Sequence, residues 1–203
     1  MNPHFIFNAL NSINAYVQQN DQDSASRYLT KFARVMRNVL ENSRHSEVPL
    51  SEDLDALRGY MELERIRMQQ KFDFTIEVAH GLDPDVILVP PLVVQPFVEN
   101  AIWHGMARKE GHGRISLHVR QEGRQLFWTI EDDGVGRNAV KPEPSLFAKG
   151  TSDDTKKTSL GTAITRARLD LVQKQHGGRA GFNYIDLEVG TRVVVVMPLL
   201  STI

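Results

Sequence analysis

The stretch EDDGVGR, residues 131–137, sets a carboxylate and two glycines at the end of an alternating run. Leu126, Trp128 and Ile130 share a parity with Asp132, which places that carboxylate on the inward face at a strand's end. A carboxylate taken out of water needs a donor partner. Gly134 and Gly136 let the backbone turn tightly and come close to a ligand. The same string also suits a plain glycine turn after a strand. In ENAIWHG, Asn100 and His104 lie four apart on one helical face, with Glu99 on an adjoining line. A carboxamide oxygen suits Mg2+, which is held by few protein groups together with substrate phosphates. The alternative is a polar helix end closed by Gly105. In SLGTAITRARL, Gly161 stands just before a helix, where backbone N–H groups and the positive dipole end can meet a phosphate. Gly190-Thr191 opens the last strand with a hydroxyl that reaches a base edge or serves a simple turn. Finally, His4 follows Pro3 at the start of a helical run, and an imidazole with an unperturbed pKa of about 6.5 keeps a neutral nucleophilic nitrogen at cellular pH.

These residues need elements to hold them. From 1 to about 45 the pattern is helical, and from about 72 short alternating strands take over, so the chain divides into 1–48 and 49–203. At 100° per residue, Ile6, Leu10, Ile13 and Val17 form one apolar stripe, with His4, Asn8, Asn11 and Ala15 roughly 160° away. His4 is thus expected to point away from the packed seam. NDQDSAS ends this helix and caps a second, in which Tyr28, Leu29, Phe32, Ala33, Met36, Val39 and Leu40 recur at helical spacing. An antiparallel pair of this kind cannot bury both stripes alone, and two copies forming a four-helix bundle complete the core. A homodimer is expected.

A third helix is expected from an N-cap at Ser51, with Glu52 and Asp53 in the first turn and Leu54, Leu57 and Met61 on one face. FDFTIEVA reads as a strand, and Pro96 forces the helix of QPFVENAIWHGM to start or kink there. RISLHV and QLFWTIED form a hairpin around QEGR. The polar stretch of about 137–160 reads as a lid, GTAITRARLDLVQKQHGG as an amphipathic helix, and TRVVVVMPL as a strand in mid-sheet. The order gives an α+β chain: a helical hairpin, then an α/β sandwich with a mixed sheet and helices on one face.

Composition narrows the function. With 24 basic against 25 acidic residues and a formal charge of −1, no overall field draws nucleic acid or an anionic membrane. Zero cysteines exclude disulfides and thiolate zinc sites, which suits a cytoplasmic location. No apolar run approaches the roughly 20 residues needed to span a bilayer. His45, His80, His112, His118 and His176 fall in turns or on exposed faces.

NPHFIFNALNSI, QPFVENAIWHG, DDGVG, SLGTAITRARL and GTRVVVVMPL occur in the order and approximate spacing of sensor histidine kinases of the LytS/YehU type, which the chain resembles over nearly its whole length. The resemblance implies a Bergerat-type ATP-binding domain of the gyrase, Hsp90, histidine kinase and MutL kind behind a phosphoacceptor hairpin. It implies His4 as the phosphorylated histidine, Asn100 as the Mg2+ ligand, and Asp132 as the carboxylate reading adenine. Gly134 and Gly136 match the first glycine box, Gly161 the second, and Thr191 the threonine beside adenine, with His104 also at the nucleotide. The implied partners are a second copy, the receiver domain of a response regulator, and a membrane only through an upstream sensor region, expected because only three residues precede His4. Departures are visible. Trp103 stands where the family often carries Lys, so the phosphate-neutralising cation is sought in His104, Arg137 or Lys149. Pro96 occupies the place of the related ATPases' catalytic Glu, which favours kinase over ATPase, and Phe5 replaces the acidic residue that commonly follows the histidine. Glu99 and Asn8 are then weak candidates for the general base. The alternative function is a nucleotide-binding dimeric signalling module without histidine phosphorylation.

Overall fold

In the computed structural model, residues 3–137 and 160–201 are described, with the backbone alone for Pro3, His4, Leu160, Gly161 and Ser201. The expected lid lies almost wholly outside the described residues. Helix α1 (Pro3–Gln18) and helix α2 (Gln22–Asn42) form the expected hairpin. Asp21 caps α2, its carboxylate accepting from the Ser24 N–H at 3.0 Å. Asn20, one of the few residue types that tolerate it, turns the chain with φ of 56°.

The packed seam of α1 is only in part the one that periodicity indicates: Ile6 and Ile13 of the expected stripe pack half-buried against the core, and Leu10 and Val17 do not. Phe5 and Ala9 are buried, whereas Leu10 and Val17 are 50% and 56% exposed and Ala33 on α2 is exposed. The cause is a third helix. Helix α3 (Leu50–Arg67) packs against both hairpin helices, and the Phe5 ring sits 5.9 Å from Phe32 of α2 and 4.9 Å from Tyr60 of α3. Seating that ring turns α1, brings the small Ala9 against its neighbours, half-buries Asn8, and leaves the Leu10 and Val17 stripe facing outward. Leu29 and Leu40 of α2 also face outward.

Helix α3 begins at Leu50 with Pro49 at the N-cap position; Ser51 is inside the first turn and its N–H donates to the Pro84 carbonyl at 3.0 Å. A proline with its fixed φ starts the helix without a side-chain cap. Asp53 has a larger role than its place in the first turn suggests. It is 2% exposed and accepts from the Leu92 N–H at 2.7 Å, while Arg168 donates to the Pro91 carbonyl at 2.7 Å. Leu92 has φ of 62°, a conformation costing on the order of 1–3 kcal/mol that these two anchors hold in place.

Burial pushes Asp53 up to about 6, against the lowering effects of the Leu92 N–H and the Arg168 charge. The native state therefore binds more protons than the unfolded one between about pH 4 and 6, and stability falls as pH rises through that window. Asp53→Asn keeps an acceptor for Leu92 and has no charge to desolvate. Urea unfolding is expected to show the variant gaining on the wild type from pH 4 to pH 7, by on the order of 2 kcal/mol. A difference that does not change with pH would contradict this.

The main sheet contains β2 (Phe72–Val78), β4 (Gly113–Glu122), β5 (Gln125–Asp132), β6 (Gly181–Asp186) and β7 (Thr191–Pro198), in the order β2-β4-β5-β7-β6. β2 and β4 are parallel and the other pairs antiparallel, so the sheet is mixed as expected. The β4–β5 hairpin closes with Gly123 at φ of 59°. Strict alternation turns Ile115, Leu117 and Val119 of β4, Leu126, Trp128 and Ile130 of β5, and Val193, Val195 and Met197 of β7 into the core. Leu54, Leu57 and Met61 of α3, Phe97 and Val98 of α4 (Gln95–Asn100), and Leu169 of α5 (Leu160–His176) join that core. A second small sheet of β1 (Val48–Pro49), β3 (Ile87–Val89) and β8 (Leu200–Ser201) ties the chain's end to the entrance of α3. Its strands are too short to show a period. Among the described residues, no helix is long and apolar enough to cross a membrane.

Candidate functional site

The site forms where β5 ends beneath the continuation of α4. Helix α4 starts at Gln95, one residue before the proline expected to open it, and from Ala101 to Met106 it widens into a π-helical turn. The Ala107 N–H reaches the Ile102 carbonyl at 2.9 Å, the five-residue step of that geometry. This turn lowers Gly105 onto Asp132. A Cβ on Gly105 would lie 2.8 Å from Asp132 Oδ1, and one on Gly134 would lie 2.7 Å both from that oxygen and from the Gly105 carbonyl carbon. Gly105, read from the sequence as a helix cap, is therefore a close-approach glycine. A small residue on a helix face opposite an inward carboxylate was the available signal.

Asp132 is 8% exposed, and its Oδ1 accepts from the Gly134 N–H at 2.9 Å. Burial raises its pKa to about 6, the neighbouring Asp133 adds to the rise, and Gly134 and Lys109 oppose it. Thr191 is its partner across the β5–β7 ladder and is buried as well. Gly190 precedes it with φ of 87°, and a Cβ there would strike the Asp132 carbonyl. Gly190 thus needs to be glycine for space as well as for conformation. Gly136, at φ of 74°, lines a cavity of about 370 Å³ together with Gly134, Arg137, Asp186 and Gly190.

Asn100 closes α4. Its Nδ2 donates to the Tyr184 hydroxyl at 3.5 Å, and its Oδ1 accepts no hydrogen bond among the described residues. Glu99 is half-buried and accepts from Gln95 Nε2 at 2.9 Å; burial raises its pKa, opposed by that hydrogen bond. His104 is exposed and makes no hydrogen bond or ion pair among the described residues. Gly161 is the second residue of α5 instead of preceding it. Lys149 lies outside the described residues. His4 is in the first turn of α1, its side chain outside the described residues, next to the Phe5 ring fastened on Tyr60.

The sequence reading missed one cation. The Arg67 guanidinium lies 4.5 Å over the Trp103 ring and pairs with the fully buried Glu64 at 2.6 Å. Arg67 is thirty-six residues from Trp103 in the chain, and only the packing of α3 on the π-helical turn brings them together.

Two family models match. Residues 1–72 match the model described as histidine kinase, and residues 90–201 match that of the histidine kinase-, DNA gyrase B-, and HSP90-like ATPase. The chain is 28% identical over 198 residues to a sensor protein LytS of Staphylococcus haemolyticus, covering 98% of this chain and 32% of that one. It is 34% identical over 151 residues to the sensor histidine kinase BtsS of Escherichia coli, covering 74% of this chain and 25% of that one. It thus spans about a third of the length of the LytS relatives it matches. The histidine kinase domain of the Erythrobacter litoralis EL346 blue-light activated histidine kinase shares the fold, with a TM-score of 0.53 at 18% identity over 84% of this chain and 74% of that one. A mixed five-stranded sheet, a buried carboxylate walled by glycines at its edge, and these matches place the chain in the histidine kinase-, DNA gyrase B- and HSP90-like ATPase family, among its LytS-type sensor histidine kinases.

Proposed function

We propose that this chain is the ATP- and Mg2+-dependent kinase portion of a two-component sensor, which phosphorylates its own His4 and passes the phosphoryl group to an aspartate on a response regulator's receiver domain. The observation that carries the reading is Asp132. One oxygen is occupied by the Gly134 N–H, the glycine walls at Gly105 and Gly134 leave no room for a side chain, and the second oxygen is left to accept from the exocyclic amine of adenine. Thr191, across the ladder, supports the same edge. The Oδ1 of Asn100, which accepts no hydrogen bond among the described residues, is a hard oxygen donor of the kind Mg2+ takes together with substrate phosphates. Bound there, Mg2+ would offset charge on the nucleotide's β- and γ-phosphates.

In the transfer, an imidazole nitrogen of His4 forms a bond to the γ-phosphorus, the bond from that phosphorus to the bridging oxygen breaks, and ADP leaves with the electron pair. The imidazole proton goes to a base, and Glu99 is the candidate because burial raises its basicity. Gly134 and Gly136 let the backbone approach the nucleotide; Gly161, in the first turn of α5, is assigned to phosphate with His104 as a further contact. Residues 1–48 serve as the phosphoacceptor hairpin and 49–203 as the catalytic domain. The kinase portion works in the cytoplasm, with any membrane anchor in an upstream sensor region. Incubation with γ-labelled ATP and Mg2+ tests the reading: acid-labile, base-stable label on the chain is expected, and tight nucleotide binding without label would overturn it.

The exposed apolar side chains of the hairpin support a second copy as partner. Phe7, Leu10 and Val17 of α1 and Leu29 and Leu40 of α2 are each about half exposed or more, large apolar side chains of the kind a four-helix bundle buries. Sedimentation at micromolar concentration is expected to give a dimer for the wild type and a monomer for Leu10→Glu/Val17→Glu, with unchanged helix content. A wild type that sediments as a monomer would refute the dimer.

A further inference from the structure

Strand β6 presents two aromatic rings to the helices. Phe97 of α4 meets the Phe182 ring at 4.8 Å and the Tyr184 ring edge-on at 6.0 Å, so the strand and the helix are locked ring against ring. The two arginines nearest the undescribed stretch rest on the same pair: Arg137 lies 4.2 Å over Tyr184, and Arg166 of α5 lies 4.6 Å over Phe182. Tyr184 is the member with a polar end, and that end meets Asn100 Nδ2. A phenol hydroxyl can donate or accept; accepting from Nδ2, as it does here, it goes with the carboxamide orientation that leaves Oδ1 for a cation. The opposite orientation would aim an amide donor at a cation, which a metal site cannot use.

We propose that Tyr184 is the positioning residue of the cation site: its hydroxyl holds Asn100 Nδ2 and thereby turns Asn100 Oδ1 outward toward Mg2+. The proposal rests on the reading of Asn100 as the group that holds the metal. Groups beyond the ligand that orient it change metal affinity about 10–100-fold when removed. The hydroxyl therefore sets how much Mg2+ the site requires, while adenine recognition at Asp132 proceeds without it. Arg137 shares the ring. Its half-exposed approach to Asp186 at 3.9 Å is too loose to hold it, so the ring face keeps that cation at the mouth of the glycine-lined cavity.

Tyr184→Phe separates these contributions, because it retains the ring under Arg137 and against Phe97 and removes the hydroxyl alone. Binding of a fluorescent ATP analogue is measured in EDTA and across a MgCl2 titration for the wild type, Tyr184→Phe and Asn100→Ala. The expected result is an about tenfold higher half-maximal Mg2+ concentration for Tyr184→Phe, with affinity in EDTA within about twofold of the wild type. If Asn100→Ala shifts the Mg2+ requirement and Tyr184→Phe does not, the positioning role is overturned while the metal reading stands. If neither variant shifts it, the reading of Asn100 falls and the inference falls with it. Equal loss of affinity with and without Mg2+ in Tyr184→Phe would mean that the residue only supports the fold, and would also overturn the proposal.

Discussion

Replacing His4 with glutamine is expected to remove acid-labile phosphorylation completely, a loss of at least about a thousandfold, because the carboxamide keeps hydrogen-bonding atoms but has no nucleophilic nitrogen. Nucleotide affinity is expected to stay within about twofold of the wild type, since Asp132, Gly105 and Thr191 belong to other elements and are packed among themselves. The folding risk is small: Phe5 and Ala9 carry the packing at this end of α1, and glutamine favours helix. The measurement is label retained after alkali and lost after acid, alongside nucleotide binding on the same samples. Label that persists in His4→Gln would move the acceptor elsewhere, and the exposed His104 beside the site would be examined next.

The second large effect is at Asp132. Asp132→Asn is expected to weaken ATP binding about 10–100-fold, the value of a hydrogen bond to a charged group. A carboxamide has one acceptor oxygen, whereas this position serves two donors, the Gly134 N–H and the adenine amine; the amide nitrogen must therefore face one of them. The same residue makes binding depend on pH. With a pKa raised to about 6 by burial, Asp132 becomes protonated below that pH and its second oxygen turns into a donor facing a donor. Wild-type affinity is therefore expected to hold from pH 8 to about 6.5 and to fall below 6 by up to about tenfold per unit. Asp132→Asn is expected to lack that slope. Titration calorimetry across pH 5–8 reads both quantities, and parallel pH profiles for the two proteins would contradict the assignment.

Much of this site was legible because its signals are local. The parity of Leu126, Trp128, Ile130 and Asp132 along one strand placed the carboxylate inward, and the structure has it buried. The hairpin around Gly123 and the apolar run Val193–Val196 likewise appear as strands of the expected kind, since alternation and turn chemistry are written in consecutive residues. The α1 seam misled in part, for the opposite reason. Periodicity finds an apolar stripe but does not say which neighbour buries it, and here α3 took Phe5 while Leu10 and Val17 were left outside.

By itself the sequence determined the helices, β2, the β4–β5 hairpin, β7, the inward carboxylate and the family, whereas β1, β3, β6 and β8 became evident only in the structure. Tertiary structure alone decided what depends on residues far apart in the chain. Gly105 meets Asp132 through a π-helical turn, Tyr184 meets Asn100 across eighty-four residues, and Arg67 covers Trp103 from another helix. Asp53 became an anchor for the strained Leu92 in the same way. Each of these contacts requires packing to close a long loop of chain, and no periodicity in a short window records which side chains will then face one another.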